Sequence, residues 1–215
     1  MSFRAALFDM DGTLIHIFDL WRGLLADYLN RFGASLTETE FQYAMSLSYD
    51  NLAVYLQERF ALPRTAQEIM DEIDEFSIEE YADRASLKDG VDKLTRQLSS
   101  AGLTLAVVTT NLGEIAEKVL KRFGMAEYFS YIFGTHELRH RKIHPACFLD
   151  IAERISVAPE DCIVFEDSPA VSKSAKAAGM YVIGVLGEQT KEAKTELKDI
   201  ADQAITSYDE VKLDV

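Results

Sequence analysis

Cysteine is scarce in this 215-residue chain: Cys147 and Cys162 are the two it has. That supplies no disulfide framework, which fits a reducing compartment and predicts a cytoplasmic protein. Long hydrophobic runs are also missing. No run approaches the roughly 20 apolar residues that cross a bilayer, so no membrane association is expected. The first residues lack a basic region followed by an apolar stretch, and no secretory signal is predicted. Positive charge is in deficit, with 22 Lys and Arg against 36 Asp and Glu and a formal net charge of −14. Such a balance disfavours a nucleic acid polymer and an acidic membrane surface, while keeping the protein soluble. It leaves a small anionic ester open, because the local field of a site decides that binding. Composition carries no signal for the oligomeric state.

Short apolar runs cover residues 5–8, 103–108, 131–133, 162–165 and 181–185. Several do not alternate, as expected of strands covered on both faces. Cys162 opens one of them and is predicted to be a buried thiol. Helical patterns lie between the runs, which implies crossover connections and a parallel sheet. Val91, Leu94 and Leu98 share a face, stopped by Gly102. Asn111 with Glu114 matches a capping box ahead of Ile115, Val119 and Leu120, and Gly124 ends that helix. Pro145 opens another helix, and Ser168-Pro169 places proline at a first helical position. The chain is therefore read as α/β, a Rossmann-like parallel sheet flanked by helices.

One region breaks the rhythm. Residues 16–86 contain no convincing strand. Phe18, Trp21, Leu25, Tyr28, Leu29 and Phe32 follow helical spacing, as do Leu52, Tyr55 and Leu56, then Ile69, Ile73 and Phe76. Thr65 with Glu68 forms a second capping-box pattern. The expected organisation is an α/β core of residues 1–15 and 87–215, with an inserted α-helical domain over 16–86. The apolar and aromatic stripes of the insertion read as its own core.

The stretch Phe8-Asp9-Met10-Asp11-Gly12-Thr13-Leu14 ends the first apolar run. Side chains two apart on a strand share a face, so Asp9 and Asp11 can converge on one point. The C-terminal tip of a buried strand is where open α/β sheets place their chemistry. Two carboxylates about 4 Å apart repel by roughly 4 kcal/mol at an effective dielectric of 20. A cation or a shared proton must relieve that, and Mg²⁺ prefers hard oxygen ligands.

This stretch resembles the first motif of the haloacid dehalogenase superfamily, which includes phosphatases and phosphomutases. The resemblance implies that Asp9 is the nucleophile that takes the phosphoryl group, and that Asp11 is the acid/base. The helical insertion corresponds to the cap that many members carry directly after this motif. Val107-Val108-Thr109-Thr110-Asn111 resembles the second motif, whose hydroxyl binds the phosphoryl group. Thr109 is the first hydroxyl after the apolar run and Thr110 the competing register. Asn111 is either a phosphate contact or a helix cap. Lys142, with Pro145 and Phe148 after it, matches the third motif, although Ile143 stands where a proline is usual. A fixed ammonium offsets the repulsion between a phosphate and Asp9. Phe165-Glu166-Asp167-Ser168-Pro169 resembles the fourth motif, which completes a Mg²⁺ shell. Asp167 then ligates the ion with Asp9 and the backbone carbonyl of Asp11, and Glu166 is a direct or outer partner.

His136, His140 and His144 are spaced by four, but Arg139, Arg141 and Lys142 interrupt them and Pro145 follows. They read as exposed loop histidines. His16 stands where the chain enters the insertion, as a substrate contact or a hinge residue.

The expected activity is Mg²⁺-dependent hydrolysis of a small phosphomonoester through an aspartyl-phosphate. The nearest rival is a β-phosphoglucomutase-like phosphomutase. Such mutases carry Gly, Arg and Ser in a cap segment, whereas residues 43–50 have neither glycine nor arginine, and residues 68–83 are densely acidic. Asp11 disfavours a dehalogenase, which needs no leaving-group proton. The absence of lysine between Thr13 and Ser86 disfavours Schiff-base chemistry. A non-catalytic phosphate-ligand sensor is the alternative of a different class.

Overall fold

The computed structural model describes residues 3–47 and 49–213. Ser48, and the side chains of Glu79 and Glu80 in the acidic stretch, lie outside the described residues. The chain divides into two compact units, Met1–His16 with Ser86–Val215 and Ile17–Ala85.

The first unit is built on a parallel sheet. Its strands are β1 (Ala5–Phe8), β2 (Thr104–Val108), β3 (Phe129–Phe133), β4 (Cys162–Glu166), β5 (Tyr181–Val185) and β6 (Gln203–Ile205), in the spatial order β3-β2-β1-β4-β5-β6. β1 pairs with β2 on one side and β4 on the other, so the connections diverge at its C-terminal tip. In doubly wound sheets that divergence opens the crevice where ligands sit. Phe8 lies level with Val107 and with Phe165. The residues following each strand therefore emerge along one edge.

All four residues of β1 are fully buried. One face packs Ala5, Leu7, Ala106, Val164 and Val182 against Phe148, Ile151 and Ala175 from α7 (Pro145–Arg154) and α8 (Pro169–Ala177). On the other face Phe8 stacks on Phe165 with ring centroids 4.4 Å apart. A fully buried Phe contributes about 1.5–3 kcal/mol by leaving water, so this stack anchors the two strands that carry the acidic tips. Cys147 and Cys162 are both buried and free, and burial pushes their thiols up to about 11 and about 12.

Four of the sheet's helices follow the sequence signals, one of them with a correction. Val91–Ser100 forms α5 and Gly113–Arg122 forms α6. The expected Asn111–Glu114 capping box is not made. The helix starts later, with Leu112 at its N-cap, because the Asn111 side-chain oxygen accepts from the Leu112 amide at 2.8 Å. Ser168 does stand at the N-cap of α8, without a side-chain capping bond. α9 (Lys191–Ile200) and β6 were not anticipated.

The second unit is helical: α1 (Phe18–Asn30), α2 (Glu38–Met45), α3 (Tyr49–Phe60) and α4 (Ala66–Arg84). Leu25, Tyr28, Leu29, Phe41, Leu52, Leu56, Ile69 and Ile73 make its core. Two complete capping boxes, Thr37 with Glu40 and Thr65 with Glu68, start α2 and α4. Ile69, Ile73 and Ser77 are buried at a spacing of four along α4, while Glu68, Asp71, Asp74 and Glu75 are exposed. That acidic run is the solvated face of an amphipathic helix.

Candidate active site

Asp9 extends β1 by one residue, its amide donating to the Phe165 carbonyl at 3.0 Å. Glu166 ends β4, and Asp167 follows it. Parallel pairing in register brings these tips level, so three acidic side chains from two strands face one point. One carboxylate oxygen from each of Asp9, Glu166 and Asp167 lies within 4.8 Å of the others. Asp9 and Glu166 are buried, at 8% and 2% exposure.

Lys142 enters from the loop between β3 and α7. Its ammonium is 2.6 Å from Asp9 Oδ1, to which it donates, and 2.9 Å from Glu166 Oε2. At 4% exposure it is buried with its partners. Burial alone depresses a lysine pKa, but the two carboxylates outweigh it and hold Lys142 above its ordinary value. Burial, then the charge of Asp9, drives Glu166 up to about 7 against the pull of Lys142. Asp167 is likewise raised, by burial first and then by Asp9 and Glu166.

With one ammonium bonded among three carboxylates, the cluster becomes net negative once all three ionise. Asp9 Oδ2 is also buried without a hydrogen-bond partner, an arrangement that costs stability unless something occupies it. Hard carboxylate oxygens at this spacing suit a divalent cation. The turn after β1 leaves room for them. Gly12 has φ +81°, and a Cβ there would stand 2.3 Å from Asp167 Oδ2.

Asp11 is half-buried, and its carboxylate is not among the oxygens that all lie within 4.8 Å of one another. Asn111 Nδ2 donates to Asp11 Oδ2 at 3.4 Å. The backbone of Asp11 bridges to Ile15 in the turn. Thr109 extends β2 as Asp9 extends β1, with its amide donating to the Phe133 carbonyl at 2.9 Å. It is buried, and its hydroxyl oxygen accepts from the Asn111 amide at 3.0 Å, whereas Thr110 is exposed. His16 Nδ1 lies 3.0 Å from Glu188 Oε1. His136, His140 and His144 are exposed on the loop before α7.

Several residues at this edge carried no recognised signal. Gln189 donates to Asp167. The buried Tyr208 hydroxyl donates to the Thr13 carbonyl at 3.0 Å, under the turn. Lys88, 8% exposed, brings its ammonium to 2.5 Å from where a Cβ on Gly187 would lie. None belongs to a short motif. Each lies far from Asp9 in the chain and reaches the edge through the fold.

Known proteins resemble this chain in sequence and in fold. The chain is 30% identical over 97% of its length to the bifunctional riboflavin kinase/FMN phosphatase of Arabidopsis thaliana, and it spans 54% of that protein. It is 28% identical to hexitol phosphatase B of Escherichia coli, over 84% of this chain and 82% of that one. A solved structure from Thermotoga maritima, assigned as a β-phosphoglucomutase, superposes with a TM-score of 0.80 at 24% identity and covers 94% of each chain. At that identity the likeness is one of fold. The model of the haloacid dehalogenase-like hydrolases matches residues 6–185, and the chain belongs to that family.

Proposed function

We propose that this protein is a Mg²⁺-dependent phosphatase that hydrolyses a small phosphomonoester through an aspartyl-phosphate on Asp9. The observation that carries the reading is the buried Asp9 carboxylate, held at 2.6 Å by Lys142 beside Glu166 and Asp167 at the tip of the central strand. Relatives named as phosphatases support the same class of reaction.

Asp9, Glu166, Asp167 and the backbone carbonyl of Asp11 would hold the ion. When bound, it would offset negative charge on Asp9 and on the phosphoryl oxygens. An Asp9 oxygen attacks phosphorus in line, and the ester P–O bond breaks. Asp11 gives its proton to the departing alcohol oxygen. Water then attacks phosphorus as Asp11 takes its proton back, and the Asp9–phosphorus bond breaks to release phosphate. The Lys142 ammonium steadies the incoming phosphoryl oxygens. Thr109 donates its hydroxyl to one of them, with Asn111 beside it and Thr110 at the rim. His16 contributes a contact to the leaving group.

The helical unit Ile17–Ala85 serves as the cap that selects the leaving group and excludes water. Its insertion directly after the Asp9–Asp11 turn supports that role, as does its self-contained core. Two buried free thiols suit a cytoplasmic setting, and no helix among the described residues is long and apolar enough to cross a membrane. The substrate is a small metabolite ester rather than a nucleic acid polymer.

Release of inorganic phosphate from p-nitrophenyl phosphate, abolished by EDTA and restored by Mg²⁺, is the expected result. A panel of sugar phosphates, nucleoside monophosphates and phosphoglycolate then defines the substrate. Conversion of β-glucose-1-phosphate to the 6-phosphate without phosphate release would make it a mutase. Tight binding with no turnover on any ester would make it a sensor.

A further inference from the structure

The loop after β5 carries a side chain whose carboxamide is engaged on both its nitrogen and its oxygen. Gln189 Nε2 has two N–H bonds and three acceptors in reach, the Val185 carbonyl at 2.9 Å, the Asp167 carbonyl at 3.1 Å and Asp167 Oδ2 at 3.2 Å, so one N–H is shared between two of them. Its Oε1 accepts from the Gly187 amide at 2.6 Å. These partners fix which way the amide faces. Turned over, its oxygen would meet three acceptors and its nitrogen a donor. The side chain thus ties the end of β5 to the residue that follows β4.

Asp167 needs such a tie. Its carboxylate sits within 4.8 Å of those of Asp9 and Glu166, both of which repel it. Across the other side lies the Gly12 backbone, so close that a Cβ there would be 2.3 Å from Oδ2. The repulsion, which Lys142 and Lys88 offset only in part, favours turning the carboxylate away from the cluster, and the hydrogen bond from Gln189 opposes that turn. A neutral donor suits the task. A lysine or arginine would compete with a divalent ion for the same oxygen, and a carboxylate would add to the repulsion.

We propose that Gln189 is a positioning residue that holds the Asp167 carboxylate in the acidic cluster, so that the cation site is formed before the ion arrives. The inference rests on Asp167 being a metal ligand, as assigned above. Gln189 acts through Asp167 and touches neither phosphate nor ion. Partners that orient metal ligands typically carry about 10–100-fold in metal affinity.

The test is calorimetric titration of the full chain with Mg²⁺, for the wild type and for Gln189→Met, Gln189→Asn and Asp167→Asn. Melting in EDTA and the Mg²⁺ dependence of p-nitrophenyl phosphate turnover are followed alongside. Gln189→Met is expected to weaken Mg²⁺ binding by roughly 10–100-fold, with kcat largely recovered at saturating Mg²⁺. A role confined to bracing the loop would lower the melting temperature and leave the Kd where it was. Gln189→Asn withdraws the amide by one methylene and is expected to shift the Kd in the same direction. It serves as the readout if Gln189→Met does not fold. Weakened binding in Asp167→Asn, with both Gln189 variants binding like wild type, overturns this inference alone. Unchanged binding in Asp167→Asn, or no binding by the wild type, removes the metal-ligand assignment itself and the inference with it.

Discussion

Glu166→Gln should stabilise the metal-free protein at alkaline pH and weaken its response to Mg²⁺. Burial and Asp9 lift the Glu166 carboxyl from its usual 4.5 to about 7. Between those values the folded chain binds more protons than the unfolded one, so stability falls as pH rises through the interval. At about 1.4 kcal/mol for each tenfold, an ionised Glu166 destabilises the empty site by about 3 kcal/mol above pH 7. A neutral glutamine removes that cost. Its amide keeps one acceptor oxygen where Glu166 now takes the Ser168 amide at 3.1 Å and faces Lys142 at 2.9 Å. Losing one of these contacts returns about 1 kcal/mol. A net gain of about 2 kcal/mol remains, or roughly 4–8 °C in melting temperature for a chain of this size. Calorimetric melting in EDTA at pH 8 reads it. At pH 5 the gain should nearly vanish, because Glu166 is already protonated there. Saturating Mg²⁺ should favour the wild type. A variant that melts at or below the wild type at pH 8 in EDTA, or gains equally at pH 5, would refute the electrostatic account of this site.

Asp9→Asn should eliminate phosphate release from p-nitrophenyl phosphate while leaving the circular dichroism spectrum intact, since an amide is no nucleophile toward phosphorus. Turnover by the purified variant would exclude Asp9 as the attacking group. Gly12→Ala forces a side chain into φ +81° and against Asp167. It should cost about 1–3 kcal/mol from backbone strain, visible in melting, and weaken Mg²⁺ binding seen by titration. Thr65→Ala removes the α4 capping box and should cost the helical unit about 1 kcal/mol. Hydrogen bonds from the Thr65 backbone and side chain hold the Glu68 carboxyl below its usual range. Thr65→Ala keeps the backbone amide and removes the hydroxyl's share, which is present above the usual carboxylate pKa and is lost as pH falls through the lowered one. The gap between wild type and Thr65→Ala should therefore narrow in acid, and a gap that widens there would contradict the cap assignment.

Local signals were most legible where burial and chain geometry agree. The apolar runs at 5–8 and 181–185 became β1 and β5 without adjustment. Gly102, Gly124 and Gly179 take positive φ just past the helices they were expected to end. Thr65-x-x-Glu68 is a complete capping box. Thr37-x-x-Glu40 carries the same signal and heads a helix that was not anticipated. α9 escaped because Leu197 is its only buried residue, which gives no apolar stripe to detect. β6 is three residues at a sheet edge, two of them half-exposed, so no run marks it. At Asn111 the local pattern misled. The side chain satisfied its neighbour's amide and reached toward Asp11, which left the helix to begin two residues on.

Local patterns in the chain suffice for the alternation of strands and helices, the helical insertion and the strand-end placement of Asp9, Thr109, Glu166 and Asp167. Each of those depends on residues within a few positions of one another. Which charges share a pocket depends on how the folded strands and loops are brought together. Lys142 lies 133 residues from Asp9 and its ammonium bonds the carboxylate. Gln189 lies 22 residues from Asp167 and donates to its carboxylate. Asp11, two residues from Asp9, is not a member of the acidic trio, and its carboxylate accepts from Asn111. Such distances follow from strand order and register, which arise when the whole chain buries its apolar faces together, and no local pattern encodes them.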